Sequence, residues 1–279
     1  MDTFRTWEEA VTWLRAQPEQ QELVLNAYYD DPLRSAAERY SQSLEWQAIT
    51  ALLPRTRGRA LDVGAGRGIA SYALAKIGFT VDALEPDSSA IVGAQAIRLL
   101  AKEAALPIEV TQDFSERLPF EDQSFDLIFA RAVLHHTRDL SSACAEFFRV
   151  LRPGGRLIAV REHVISKPED LPAFLESHPL HKLYGGENAF ELPAYERALH
   201  GAGFGDLCTL APFDSVINFA PHTLSSLQAE MALRAGRRLP GSAALLRTLL
   251  PPLWPLLRPL LNGVDNRPGR LYSFVAMRP

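Results

Sequence analysis

The segment Leu61-Asp62-Val63-Gly64-Ala65-Gly66-Arg67-Gly68 constrains the fold of this chain more than any other. RALDVG has the apolar character of a buried strand. It runs straight into a turn with glycine at alternate positions, and a helical pattern from Arg67 to Ile77 follows, closed by Gly78. Glycine accepts positive φ and lets a ligand approach the backbone, while the first turn of a helix offers amides without partners. Strand, glycine turn and helix in that order predict a ligand-binding edge on an α/β sheet. A dinucleotide fingerprint sets its last glycine one residue later, where Ile69 stands here, which counts against a nicotinamide cofactor.

The same unit then repeats. FTVDALEP reads as a second strand with a helix from Ser88 to Ala104 behind it, IEVTQ as a short third strand and FDLIFARAV as a fourth. A helix from Asp139 to Leu151 ends at Arg152-Pro153-Gly154-Gly155, and GRLIAV is the fifth strand. After a loop-rich stretch, a helix starting at Asn188 or Glu191 stops at Gly201 and Gly203. DLCTLAPF and RLYSFVAMR are two further strands that can pair antiparallel at one edge. The expected class is therefore α/β, a seven-stranded, mostly parallel sheet with helices on both faces. Residues 55–214 and 270–279 are expected to build it. Residues 1–54 read as an N-terminal helical arm or lid, with helices over 6–25 and 33–53 broken at Asp30-Asp31-Pro32. Residues 215–269 read as an apolar helical insertion between the last two strands.

Charge and cysteine content narrow the partners. The formal net charge is −4, whereas a protein that holds nucleic acid through its phosphates carries a basic excess, so no nucleic-acid partner is expected. Cys144 and Cys208 stand alone, with no CxxC companion, which disfavours a disulfide framework or a cysteine-rich metal site. The start, MDTFRTWEEAVTWL, is acidic and has no apolar core of a secretion signal; a cytoplasmic location is expected.

Two acids fall where a nucleoside would need them. Glu85, in ALEPD, ends the second strand about 20 residues after the glycine turn, where a carboxylate accepts both ribose hydroxyls. Asp113, at the end of the third strand with Phe114 beside it, can accept the exocyclic amine of adenine while the ring packs on the base. In this order LDVGAGRG, ALEPD, TQDFSERLPF, SFDLIFARAVLHH and VLRPGGRLIAV resemble the class I S-adenosylmethionine-dependent methyltransferases, specifically the methyltransferase type 11 group, from about Arg59 to Val160. The resemblance implies a Rossmann-like fold and S-adenosylmethionine as cofactor, with S-adenosylhomocysteine as product. It implies further that Asp62, Gly64, Ala65, Gly66 and Gly68 surround the amino-acid end of the cofactor, that Glu85 and Pro86 hold the ribose, and that Asp113 and Phe114 hold the adenine. Ala130 and Arg131 would line the floor beneath the sulfonium, with His135 and the lid residue Tyr40 as neighbours. Tyr28 and Tyr29 join Tyr40 as aromatic faces that favour a cation.

Five of the seven histidines, His135, His136, His163, His178 and His181, fall between residues 135 and 181. An imidazole takes a proton near neutral pH, and the order of preference for a general base is His163, His181, then His178, with Tyr184 as an orienting group. The spacing H-x-x-H gives neither an i, i+4 pair nor a carboxylate partner, so no metal site is expected. The stretch after the fourth strand, Ala130 to Leu134, lacks the Asn/Asp-Pro-Pro-aromatic motif found in enzymes that methylate planar amino groups. The expected acceptor is a small molecule methylated on an oxygen of a sugar, glycan precursor or secondary metabolite. The alternatives are a cofactor-binding protein without turnover and a protein or RNA methyltransferase.

Residues 239–263, LPGSAALLRTLLPPLWPLLRPLLNG, carry only Arg247 and Arg258 as charges. Pro251, Pro252, Pro255 and Pro259 argue against one straight membrane-spanning helix. Three roles fit: a cap over the acceptor pocket, which is preferred, then peripheral contact with a membrane surface, then a homodimer contact.

Overall fold

The computed structural model describes residues 6–238 and 241–279. The chain opens with four helices, α1 (Trp7–Arg15), α2 (Gln21–Asn26), α3 (Leu33–Ser41) and α4 (Leu44–Thr50). The alternating part follows as β1 (Arg59–Val63), α5 (Ile69–Lys76), β2 (Thr80–Leu84), α6 (Ala94–Ala104), β3 (Ile108–Thr111), β4 (Phe125–Arg131), α7 (Leu140–Val150) and β5 (Leu151–Ile165). Then come α8 (Leu171–Glu176), α9 (Pro179–Leu183), β6 (Phe190–Glu191), α10 (Leu192–Ala202) and β7 (Gly205–Leu210). The last elements are α11 (Val216–Phe219), α12 (Leu224–Arg238), α13 (Ser242–Val264) and β8 (Arg270–Met277).

The strands form one sheet in the order β3-β2-β1-β4-β5-β8-β7. All pairs from β3 to β5 are parallel, while β8 runs antiparallel between β5 and β7. The two-residue β6 adds to β5 at Val164 and Ile165, making eight strands where seven were expected. Side chains alternate across the sheet with period two. Leu61, Ile128, Ala130, Leu157 and Ala159 enter one buried cluster with α7 and α10 residues, among them Phe147 and Leu199. Ala60, Leu127, Phe129, Ile158 and Val160 enter the other, with Trp46 and Ile49 of α4 and Leu74 of α5. A sheet covered on both faces leaves its strand ends as the place for a ligand.

Several helices differ from expectation for local reasons. The helix expected over 33–53 is two, because the Ser43 side chain accepts the Trp46 N–H at 3.1 Å and starts α4 anew. That break turns Glu45 and Trp46 inward. The arm expected over 6–25 is likewise divided, since Pro18 begins a 3₁₀ turn between α1 and α2. The helix after β2 begins at Ala94, not Ser88: the Ser89 hydroxyl accepts the Ile91 and Val92 N–H groups, and a Cβ on Gly93 would lie 2.3 Å from the Asp87 carbonyl.

The four prolines do not break α13, which continues through all of them. Each proline removes one intrahelical donor. All four are exposed, so the carbonyls they leave unpaired face water. Leu239 and Pro240, the first residues of the apolar segment, lie outside the described residues. Among the described residues no helix is long and apolar enough to cross a membrane. Helix α13 packs on α12, and Trp254 meets Phe213 edge to face. The cavity it lines is shared with Leu44, Ala48, Phe213 and Phe219 and includes none of the expected cofactor residues or histidines. Leu245, Leu249, Leu253, Leu256 and Leu260 stay exposed.

Candidate functional site

The glycine turn sits at the C-terminal end of β1, with Gly64, Gly66 and Gly68 at φ 59°, 54° and 80°. A Cβ on Gly64 would approach the Val133 side chain to 2.7 Å, so the turn is pressed against the loop after β4. Gly66 differs: a Cβ there would meet only the Val92 carbonyl, at 4.0 Å. Its φ of 54° accounts for glycine at that position, and the open side leaves room for a ligand lying on the backbone.

Glu85 ends β2 beside this turn and is 7 % exposed. One carboxylate oxygen accepts the Gly66 N–H at 2.7 Å and the other the Asp87 N–H at 2.9 Å, which aims the group at the glycine turn. Burial pushes its carboxyl up to about 7 in spite of those two donors, with nearby Asp87 and Asp62 adding to the rise. Asp62 lies under the turn, accepts the Ser71 hydroxyl at 2.5 Å and is also pushed up to about 7 by burial. At 1 % exposure it supports the turn from beneath. Asp113 accepts the Phe114 N–H at 2.8 Å, and the half-exposed Phe114 ring has the Arg138 guanidinium 5.4 Å from its centre. Both stand just beyond β3, next to β2 in the sheet.

Two arginines tie the N-terminal arm to the ligand edge. Arg67, inside the glycine turn, donates to the carbonyls of Tyr28 and Asp30, each at 2.9 Å, and pairs with Asp31. Arg131, at the end of β4, makes a two-pronged bond to Glu45 at 2.6 and 3.1 Å, and Arg161 approaches the same carboxylate to 3.8 Å. Glu45 is 2 % exposed. Burial works against its charge, but Arg131 and Arg161 hold its carboxyl below the usual carboxylate range. Arg131 also lies under Tyr28 and Tyr40, at 5.8 and 5.4 Å. Two of the residues expected near the cofactor have packing partners of their own. Arg131 is committed to Glu45, and Tyr40 is fully buried, packed on Trp46 and Tyr28 inside the core. Tyr29 is the arm tyrosine within electrostatic reach of Glu85, Arg67 and Arg131.

The five histidines gather at the far side of the same edge. His135 is 1 % exposed; its Nδ1 meets Glu162 at 2.7 Å and its Nε2 lies 3.3 Å from Glu187. Burial opposes the charged ring, but the two carboxylates raise it to about 9. His163 bonds through Nδ1 to the Gly269 carbonyl at 2.9 Å; the carbonyl can only accept, so Nδ1 carries the proton and Nε2 a free lone pair. Burial holds this ring far below the ordinary histidine range. His181 places Nε2 at 3.5 Å from Glu187, and its Nδ1 has no hydrogen-bond partner. His178 differs. Its Nδ1 accepts the Leu180 N–H at 3.2 Å as the cap of α9, so its lone pair is occupied. Tyr184 reaches Trp7 and His136 edge-on.

Glu45, Arg161, Glu162 and Glu187 went unnoticed in the sequence. Adjacent strand residues point to opposite faces, so Glu162 and His163 would not be expected to serve one site. Between Ala159 and Glu162, β5 carries one residue more than β8 opposite, with Arg161 at φ 61°. Such a bulge re-aims the side chains that follow it. Glu187, in Gly185-Gly186-Glu187-Asn188, carries no pattern beyond that of a polar loop. The chain also holds one Tyr-x-x-x-Lys pair, Tyr72 and Lys76, and both bond to Glu38 of α3, away from the ligand edge.

Comparison with known proteins bears on the family and the fold. Residues 61–159 match the family described as methyltransferase domain. The uncharacterized methyltransferase YcgJ of Bacillus subtilis is 33 % identical over 116 residues, 42 % of this chain and 44 % of that protein. The O-methyltransferase resE of Aspergillus sclerotiorum is 31 % identical over 173 residues, 59 % of this chain and 64 % of that one. The chain spans less than half the length of several curated relatives that it matches. Among solved structures, Haemonchus contortus phosphoethanolamine N-methyltransferase 2 in complex with S-adenosyl-L-methionine aligns with a TM-score of 0.54 at 18 % identity, covering 91 % of this chain and 60 % of that one. At that identity the likeness is one of fold.

Proposed function

We propose that this chain, whose residues 61–159 match a methyltransferase domain, is a class I S-adenosylmethionine-dependent enzyme that transfers the methyl group of S-adenosylmethionine to an oxygen of a small acceptor. The observation that carries the reading is the buried Glu85 carboxylate at the end of β2, aimed by two backbone amides at a glycine turn whose Gly66 is open on its outer side. Bound S-adenosylmethionine supplies a methyl group on a cationic sulfur, so the transfer depends mainly on positioning. Gly64, Ala65, Gly66 and Gly68 would take its amino-acid end, with Asp62 stiffening the turn through Ser71. Glu85 and Pro86 would take the ribose, and Asp113 and Phe114 the adenine. Ala130 stands near the end of β4 and His135 follows the strand, with Arg131 paired to Glu45 of the arm.

The acceptor belongs, on this reading, in the space bounded by His163, His181, Tyr184 and Tyr29. The Nε2 lone pair of His163 is a nitrogen base in that space, available to a proton or to another electrophile. This supports an acceptor with a hydroxyl group over one that is already a good nucleophile.

The elevated Glu85 carboxyl makes the cofactor reading testable by pH. The ribose hydroxyls donate to the ionised form, and the empty site holds that group near 7. Affinity for S-adenosylmethionine, measured by calorimetry between pH 8 and pH 6, is expected to fall as pH drops through about 7. The loss should approach about tenfold per unit below that point, because each binding event must then displace a proton. Glu85→Gln should flatten the profile. An affinity independent of pH in the native protein would contradict the placement. The sign for stability is opposite. Carboxyls raised above their unfolded values, as in Asp62 and Glu85, contribute stability that is present at low pH and is lost as pH rises through about 7.

A further inference from the structure

We propose that His135, His163 and Glu187 form a binding site for one divalent transition-metal cation, of the class that imidazole and carboxylate ligands hold, zinc or iron(II) among them. One ligand atom from each lies within 4.8 Å of the other two. Ligands at about 2.1 Å around a tetrahedral ion are about 3.4 Å apart. His135 Nε2 and Glu187 already stand at 3.3 Å, and the His163 ligand atom, within 4.8 Å of both, has at most about 1.4 Å to close.

The surroundings of the two rings are those of a metal site. A ligating histidine gives its other ring N–H to a carboxylate or a backbone carbonyl, which fixes tautomer and orientation. His135 does so to Glu162 at 2.7 Å, and His163 to the Gly269 carbonyl at 2.9 Å. Glu162 is itself held by the backbone N–H groups of Val133 and His135, at 3.1 and 3.2 Å, and is fully buried. Both rings thereby keep Nε2 for the ion, and that of His135 already faces Glu187.

A second, independent observation marks that point. The Glu187 side chain is 3 % exposed, yet its Oε1 forms no hydrogen bond of acceptable geometry. His181 Nε2 stands 3.5 Å from the other oxygen, and its own Nδ1 is also without a partner. The bridge of His135 between Glu162 and Glu187 leaves the lone pair of His163 unused; a cation uses it together with Glu187. On binding, the cation replaces the second proton of the His135 ring, which passes to solvent. Two histidines and one carboxylate leave at least one coordination position open, with His181 at its edge.

Tyr29 and Tyr184 are each within electrostatic reach of both Glu187 and Glu85, so the ion would sit beside the cofactor pocket. Resting on the methyltransferase reading, this places the open position where an acceptor hydroxyl could bind; a coordinated hydroxyl loses its proton to solvent more readily.

The test uses the tag-free full chain, stripped with chelator and titrated with Co²⁺, followed by visible absorption and by metal analysis after dialysis. One equivalent of cobalt is expected, with ligand-field bands. His163→Ala and Glu187→Gln should abolish them, and Glu162→Gln should weaken binding by about 10–100-fold. His200→Ala, on the exposed face of α10, should leave binding unchanged. Circular dichroism shows that each variant is folded; a variant that is not is replaced by His163→Gln or Glu187→Ala. No bound cobalt, or stoichiometric binding that survives His163→Ala and Glu187→Gln, would overturn the site. S-adenosylmethionine binding by the same samples is read separately. Cofactor binding without cobalt removes only the metal site, and cobalt without cofactor binding removes only the methyltransferase reading.

Discussion

Glu45→Ala is expected to destabilise the protein by about 3–5 kcal/mol, the usual result of removing one partner from a buried ion pair. Glu45 lies 2 % exposed between two guanidinium groups, and its closer partner Arg131 holds both of its oxygens. Without it, Arg131 keeps only the faces of Tyr28 and Tyr40, while Arg161 retains the carbonyls of Ile217 and Ala220 at 2.9 and 3.1 Å. Two positive charges would then share a buried space with no counter-charge. Glu45→Gln keeps the shape but not the charge and should lose most of the same stability. Chemical denaturation followed by circular dichroism measures both. A loss below about 1 kcal/mol, the value of an exposed pair, would mean that the arm is not held by this contact.

Glu85→Ala is expected to weaken S-adenosylmethionine binding by about 1.5–3 kcal/mol, the range of hydrogen bonds to a charged group. That corresponds to roughly 10–150-fold in Kd. The same change frees the Gly66 and Asp87 amides that Glu85 now holds, so its effect includes a looser turn. Glu85→Gln separates the two contributions. It can still accept from one amide while presenting a neutral side chain to the ribose, so its cofactor affinity should fall between those of the native protein and of Glu85→Ala. Unchanged affinity in both variants would place the nucleoside elsewhere.

Local features of the sequence survived into the structure because each rests on a few neighbouring residues. The central strands are buried on both faces and so read as short apolar runs between glycine and proline signals, as in RALDVG and FDLIFAR. The glycine turn and Glu85 were legible for the same reason: one strand and one helix set their separation. Boundaries that depend on a side chain choosing a backbone partner were not. Ser43 divides one expected helix and Ser89 delays another, and serine is equally at home in a helix or before one. The strand Phe190–Glu191 is too short to carry a pattern. The four prolines of α13 are compatible with a helix, since exposed carbonyls without intrahelical partners can bond to water.

The histidine cluster was half visible. The sequence shows five histidines in one stretch but not which of them meet. His135 comes from the loop after β4, His163 from beyond a bulge in β5 and Glu187 from the loop before β6. Only the tertiary fold brings these three together.

The central claim, that the edge formed by the glycine turn and Glu85 holds S-adenosylmethionine, is tested most directly by calorimetric titration of the purified chain at pH 8 with S-adenosylmethionine and S-adenosylhomocysteine. Binding of each at one site per chain with micromolar affinity is the predicted result. The absence of binding to either at millimolar concentration, in a protein shown to be folded, would contradict it.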